Sequence, residues 1–374
     1  MALLVVGCFL RVCGQTNPVN VATIGTASGI VGGVAVSGNF AFLANNSGLQ
    51  VFDISNPRQP TDVGYRDPIP YASWVELQGD LAYVANGSSL RIFDISSRTN
   101  PAVVGNITGS WKTVTVSGHT AFLAPSAGPI FEVGIYDVSN PEAPGSIGHF
   151  IGEPNRIATV GNYAYLMNQT LGVVDVSNPA SPLQLGSTYC QGIDVAVSGH
   201  YAFAACWTNG LFIYDVSDLS NLVGVYHDLR EPYCAVAVSG NYAYLAGDKL
   251  AVYDVLNPTN ATLVGEAKLS EPLSSLSLQG LAVARGYAYV AYGSGLSVYS
   301  LGQPKSPSLK IFPNSTNVIC SWPAPTSSFA VQQNPDLAST QWITLTNTPV
   351  VVGSQNEVTV TKPAGAMFYR LVSQ

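Results

Sequence analysis

Charge is scarce in this chain. Only 10% of its 374 residues are Asp, Glu, Lys or Arg, and the 15 basic side chains are outnumbered by 22 acidic ones. A chain with no basic surplus and no basic patch lacks the electrostatic footprint of a nucleic-acid binder, so no nucleic-acid partner is expected. Histidine is equally sparse. Two of the four, His119 and His200, stand in Ser-Gly-His turns, and His149 and His227 fall in different repeats, so metal-ligand spacing is missing. No segment carries a helical period, which removes the strand-turn-helix context that a phosphate-binding loop or a nucleophile elbow needs. No cofactor and no catalytic residue are therefore expected. With 36 Gly and 24 Pro interrupting every apolar run, no transmembrane segment is expected either.

What the chain has instead is a repeat. The stretch 34–57, VAVSGNFAFLANNSGLQVFDISNP, returns six more times with small changes. A turn glycine marks each copy, at Gly38, Gly79, Gly118, Gly161, Gly199, Gly240 and, one place later, Gly286. An aspartate closes an apolar run at Asp53, Asp94, Asp137, Asp175, Asp215 and Asp254, with Ser300 in the seventh place. Short strands recurring at intervals of 38 to 46 residues match a four-stranded propeller blade and are too long for a leucine-rich repeat. In copy six, 236–238 reads as an inner strand, Ser239-Gly240-Asn241 as a hairpin turn, and 242–246, 250–255 and 262–266 as three further strands. Tyr242 and Tyr244 alternate with Ala243 and Leu245, so both faces are apolar, as a sheet held between two others requires.

The aspartates read as turn devices. In Asp53-Ile54-Ser55-Asn56-Pro57 the carboxylate accepts an amide N–H two residues on, and Pro57 keeps Asn56 extended. The seventh copy has a poor fourth strand, whereas 19–25, VNVATIG, follows an Asn-Pro pair and has no repeat of its own. Pairing the two closes a ring and hides sheet edges. The expected fold is all-β: a seven-bladed β-propeller over 15–302, closed by an N-terminal outer strand and followed by a small β-sandwich.

The recurring block VAVSGNYAYLA…GLxVYDVSNP resembles the LVIVD repeat of bacterial and archaeal surface-associated proteins, over roughly residues 19–301. The copies lack the Gly-His and Trp-Asp pairs of WD40 repeats and the paired glycines of kelch repeats. The resemblance implies a propeller, a secreted or cell-surface setting and a binding role, and it supplies no catalytic residues.

The ends differ from the array. Residues 1–14, MALLVVGCFLRVCG, read as a secretory signal peptide. Residues 303–308 read as a linker, and 309–374 hold short alternating strands spaced as in a small β-sandwich. Its SWP (321–323), Trp342 and FYRL (368–371) elements resemble the fibronectin type III-like modules that end many exported proteins of Verrucomicrobia-like bacteria. Trp322 and Trp342 are expected in its core. Without Cys8 and Cys13 four cysteines remain. Cys190, Cys206 and Cys234 share one face of the propeller, where one disulfide would suit an exported protein.

In a propeller, the loops that lead from each outer strand to the next inner strand gather on one face. That loop face collects Tyr71, Trp74, Trp111, Arg156, Tyr189, Trp207, Arg230 and Tyr233, aromatics interleaved with few charges, which suit a protein or glycan ligand at the cell surface. Trp74 and Trp111 read equally well as plugs between blades. Glu153 and Glu231 are expected to pair with Arg156 and Arg230 rather than to act across a cleft. The expectation is a non-enzymatic binding module, with a polysaccharide-active enzyme on the same face and a structural envelope component as alternatives.

Overall fold

The computed structural model describes residues 18–25, 31–45, 48–66, 71–127, 131–207, 209–269, 280–292, 295–301, 309–323, 329–336, 341–352, 355–363 and 365–373. The signal-peptide reading of 1–14 and the linker reading of 303–308 lie outside these residues. The chain divides into two units, 16–302 and one that contains 303–374.

In the first unit the repeats become antiparallel four-stranded sheets, seven in number among the described residues. Six are sequential meanders, here numbered I (31–66), II (74–108), III (111–151), IV (156–189), V (194–228) and VI (233–268). Sheet VII combines Leu281–Ala284, Tyr287–Tyr292 and Gly295–Ser300 with Val19–Gly25 at its edge. The first strands of the sheets are Val31–Ser37, Trp74–Gln78, Trp111–Ser117, Arg156–Val160, Asp194–Ser198, Tyr233–Ser239 and Leu281–Ala284. Each touches the next, and the last touches the first. That cyclic order places them around a common axis, a propeller arrangement.

Alternation supplies the core. Phe42, Ala44, Leu49 and Val51 of sheet I pack against Val75, Ala82, Val84 and Phe93 of sheet II, and equivalent clusters fill the gap between each later pair. Phe42 and Phe93 are both fully buried, each burial contributing roughly 1.5 to 3 kcal/mol.

The turns explain the register landmarks. Gly38, Gly79, Gly118, Gly161, Gly199 and Gly240 all have φ of 58°, and each is the only residue of its two-residue loop in the left-handed region, the pattern of a type II′ turn, which favours Gly first. The seventh hairpin has both Arg285 (φ 54°) and Gly286 (φ 78°) left-handed, the pattern of a type I′ turn, which takes Gly second. A change of turn type thus accounts for the glycine that stands one place late. The six aspartates each accept the amide N–H of the residue two positions on, at 2.7 to 2.9 Å. Those bonds hold the carboxyls of Asp53, Asp94, Asp137, Asp175 and Asp215 below the usual range.

Val19–Gly25 pairs antiparallel with Gly295–Ser300, and its register slips between Asn20 and Ala22, two residues into the strand. The fourth strand of each of sheets I to VI slips at the same place, as between Asp62 and Gly64 in sheet I. The shared bulge identifies the N-terminal segment as the seventh repeat's missing outer strand, carried at the other end of the chain. Bulges twist an edge strand away from further pairing.

The C-terminal unit holds two antiparallel sheets. One joins Lys310–Pro313, Asn317–Pro323, Gln355–Thr361 and Val350–Val352; the other joins Ile343–Thr344, Phe329–Asn334 and Phe368–Ser373. Val318, Cys320, Trp322 and Val358 of the first cluster with Val331, Tyr369 and Leu371 of the second. Trp322 is fully buried, as expected, whereas Trp342 is only half-buried, beneath the Arg370 guanidinium at 4.3 Å from its ring centroid.

Candidate functional site

Because every sheet is an antiparallel meander, each fourth strand ends on the face where the next first strand begins. This loop face exposes Ile151 (78%), Tyr71 (74%), Tyr189 (65%) and Leu229 (59%). On the opposite face Leu183 reaches 61%, and Val103, Val160 and Val223 stay below half. Two loop-face residues, Tyr71 (φ 64°) and Gln191 (φ 52°), hold left-handed backbone that non-glycine residues adopt only at a cost.

The other candidates divide four ways. Trp111 fills a gap. Its ring lies against Gly109 and Gly134, where an added Cβ would approach within 2.6 and 3.2 Å, and it meets Tyr136 edge-on at 6.1 Å. Its buried Nε1 has no hydrogen-bond partner. Tyr233 is 2% exposed and edge-on to Tyr253, which corrects its placement among the surface ligand contacts: its ring is drawn into the core between sheets V and VI. Trp207 is half-buried and, with Leu229, Arg230, Glu231 and Pro232, lines a cleft of about 390 Å³ on the loop face.

That cleft is braced by ion pairs other than those the sequence pointed to. Arg230 pairs with Asp228 through Nε (2.8 and 3.0 Å) and Nη2, and Tyr253 donates to the same carboxylate at 2.9 Å. Arg230, above all, keeps the Asp228 carboxyl below its usual range against the opposing effect of burial. Glu231 pairs with Lys249 at 2.7 Å, not with Arg230. Arg156 pairs with Asp194, not with exposed Glu153.

Arg156 also sits elsewhere than expected. It is 4% exposed and enters the axial channel, where its guanidinium carbon lies 3.5 Å from the Trp74 ring centroid, two sheets away. Its Nε is 3.7 Å from Asp194 Oδ1 and has no hydrogen-bond partner; Nη1 donates to the Asn155 carbonyl at 3.3 Å. Asp194 accepts the amides of Val195 and Val236, both at 2.9 Å, tying sheet V to sheet VI. Burial lifts the Asp194 carboxyl while Arg156 and these amides oppose the lift. A cavity of about 320 Å³ adjoins this pair, lined also by Trp74, Glu76 and Thr115. Burial pushes the Glu76 carboxyl up to about 7, Arg156 pulling the other way, and burial lowers the Lys112 ammonium.

Glu76 and Lys112 escaped the sequence reading. The available signal was a charged residue in each of two first strands, Glu76 in WVELQ and Lys112 in WKTVTVS, where the first strand 31–37 reads VGGVAVS. Among the described residues no group of three or more His, Cys, Asp or Glu is placed to hold a metal, and no helix is long and apolar enough to cross a membrane.

The propeller arrangement has parallels among solved structures. A chain of the mitotic checkpoint complex shares 12% identity, with 76% of this chain and 92% of that one covered at a TM-score of 0.62. For the WD40 propeller domain of Doa1 the figures are 10%, 78%, 98% and 0.59, and for the computationally designed Ika8 protein 10%, 75%, 99% and 0.54. At such identities the likeness is one of fold. No curated protein matches the chain. The LVIVD repeat matches 28–66, 70–109, 151–189, 191–227, 233–268 and 277–311. Sheet III is outside these matches although it forms the same four strands; its second and third strands, Thr120–Pro125 and Glu132–Asp137, are separated by a longer connection than in the other copies. With more than half of its residues matched, the chain belongs to the LVIVD repeat family.

Proposed function

We propose that this protein is an exported, non-enzymatic binding module: a seven-bladed propeller that offers its loop face to a protein partner and is followed by a fibronectin III-like β-sandwich. The observation that carries this reading is the set of exposed apolar side chains on that face, Tyr71, Ile151, Tyr189 and Leu229, the last of them lining the Trp207 cleft. Exposed aromatic and aliphatic groups around a concave feature are the anchors that protein interfaces bury. The left-handed backbone at Tyr71 and Gln191 supports the same reading, since such conformations gather at binding loops. Export is supported by the contact between the Cys190 and Cys206 thiols, 3.4 Å apart.

The test compares two triple variants with unchanged melting. Tyr71→Ala/Tyr189→Ala/Leu229→Ala removes loop-face anchors, and Val103→Ala/Leu183→Ala/Val223→Ala removes apolar groups from the opposite face. In quantitative affinity capture from the native host, partners retained by the wild type should lose about tenfold or more with the first variant and persist with the second. Equal loss with both, or with neither, sinks the loop-face reading. Polysaccharide turnover that disappears with Glu153→Gln or Glu231→Gln would replace it with an enzyme.

A further inference from the structure

The axial channel holds charged side chains that the loop-face reading does not use. Five of its seven first strands contribute ionisable residues: Glu76, Lys112, Arg156, Asp194 and Cys234. The other two, Val31–Ser37 and Leu281–Ala284, contribute none. Five residues before the turn glycine, where Arg156 and Asp194 stand, other copies carry the uncharged Gly33, Trp74, Thr113 and Ala235, so burying charge here is a local departure from the repeat and a cost to stability unless the charges are compensated.

The compensation is incomplete. Asp194 has two amides and Arg156, so its charge is met. Arg156 is not matched in the same way. It is buried, its one ion pair is long at 3.7 Å, its Nε lacks a hydrogen bond, and it borders a cavity of about 320 Å³. The Trp74 ring covers one flat side of the guanidinium, which fixes its plane and leaves its N–H edge as the available surface. Lys112 is attracted by Glu153 and repelled, more weakly, by Arg156, and its ammonium reaches the Asn155 side chain at 3.5 Å. Thr115 donates to the Ile157 carbonyl at 2.6 Å and so is not a competitor for the guanidinium.

We propose that the channel beside Arg156 binds a small organic carboxylate, held by the guanidinium edge and assisted by the Glu76 side chain that lines the same cavity. A carboxylate matches the planar fork of an Arg and takes two of its N–H groups at once. The apolar part of the cavity wall, Val116, Ile157, Val195, Val236 and Leu281, accommodates a short carbon body. Glu76 answers for the pH response. As an acid it donates to the ligand, and as a carboxylate it competes with the ligand for Arg156. The groups that act on it are Arg156 and the Trp74 indole N–H, which bonds its carboxyl, and Arg156 is in turn shared with Asp194 and with Cys234. Burial holds the Cys234 thiol protonated, with its pKa at about 12, so it adds no charge near neutrality. Binding therefore tightens as pH falls through the Glu76 transition, which burial raises to about 7. This site lies inside the channel and is independent of the loop-face anchors.

The experiment is isothermal titration calorimetry of the full chain with succinate, with inorganic phosphate and putrescine as comparison probes, at about pH 6 and about pH 8 in a buffer free of carboxylates. Succinate should bind saturably, about fivefold or more tighter at the lower pH, and putrescine should give no saturable heat. Glu76→Gln keeps a donor but cannot ionise, so its succinate affinity should be the same at both pH values. Arg156→Lys keeps the charge and loses the fork, and should weaken succinate about tenfold. If Arg156→Lys does not fold, the Glu76→Gln comparison still decides. No saturable succinate binding at the lower pH, a pH response that persists in Glu76→Gln, or tighter binding of putrescine than of succinate would each overturn the proposal; phosphate binding as tight as succinate would overturn its assignment to carboxylates.

Discussion

At the scale of single residues, exposure separates two kinds of aromatic that the sequence displays alike. Trp111 and Tyr189 both flank a loop-face connection, yet Trp111 lies on Gly109 and Gly134 against Tyr136, while Tyr189 is 65% exposed and is held through its backbone, by the ladder with Thr170 and by Tyr214, which donates to its carbonyl at 3.3 Å. Trp111→Ala should therefore cost about 3 to 5 kcal/mol, as large-to-small changes in packed sites do, and Tyr189→Ala should stay within about 0.5 kcal/mol. Denaturant melts of the two variants check this, and similar losses for both would refute the division. The sequence could not make the distinction because the deciding partners are glycines, whose role as floor for a ring depends on where two separate strands come together. Arg156 was hidden for a related reason. Its position just before a first strand predicts a surface loop, but the first strand begins with it, and its long side chain turns along the axis to Trp74 two sheets away. The aspartate turns, by contrast, were legible, because donor and acceptor are two residues apart and no tertiary information is needed.

At the scale of elements, the repeat made strand order, hairpin placement and the orphan strand readable, since each is encoded within about 40 residues. Turn type was not readable from the glycine's displacement alone; it required φ at both loop positions. The shared bulge is a stronger statement than pairing by itself, because Val19–Gly25 copies the register slip of six outer strands rather than merely filling an edge. Arg285 adds a second junction: its Nη1 reaches the Asn39 side chain of the first hairpin, fastening sheet VII to sheet I. Deleting residues 15–26 should strip the edge of sheet VII of its partner strand, exposing unpaired backbone groups and the side of Val298 and Leu296 that Ala22 now covers. Lower melting and concentration-dependent aggregation, followed by light scattering, are the expected results. A truncated chain that stays monomeric and melts with the wild type would mean that ring closure does not depend on this strand.

At the scale of the whole molecule, the ring is only as stable as its weakest junction between sheets, because each sheet buries its apolar faces against two neighbours and opening one gap exposes both sides. The junction between sheets IV and V has an extra fastening available. Cys190 follows the outer strand Leu183–Tyr189, Cys206 ends the second strand of sheet V, and both are buried in one cluster with their sulfurs 3.4 Å apart. The contact with Cys206 holds the Cys190 thiol below the ordinary thiol range, which favours the thiolate that attacks a disulfide. Cys234 instead donates to the Ala246 carbonyl at 3.4 Å, and Cys320 is buried in the other unit. In an oxidising compartment, exchange with a disulfide-bearing oxidant would join Cys190 to Cys206, releasing the oxidant as two thiols. Linking residues 16 positions apart should then add about 3 kcal/mol through the smaller entropy of the unfolded chain. Peptide mapping without reduction, on protein purified from its native host, should find 190 joined to 206 with 234 and 320 as free thiols, and reductant should lower the melting temperature of the wild type but not of Cys190→Ala/Cys206→Ala. Free thiols at all four positions in that material would count directly against export, because the same geometry in an oxidising setting leaves the pair little alternative but to close.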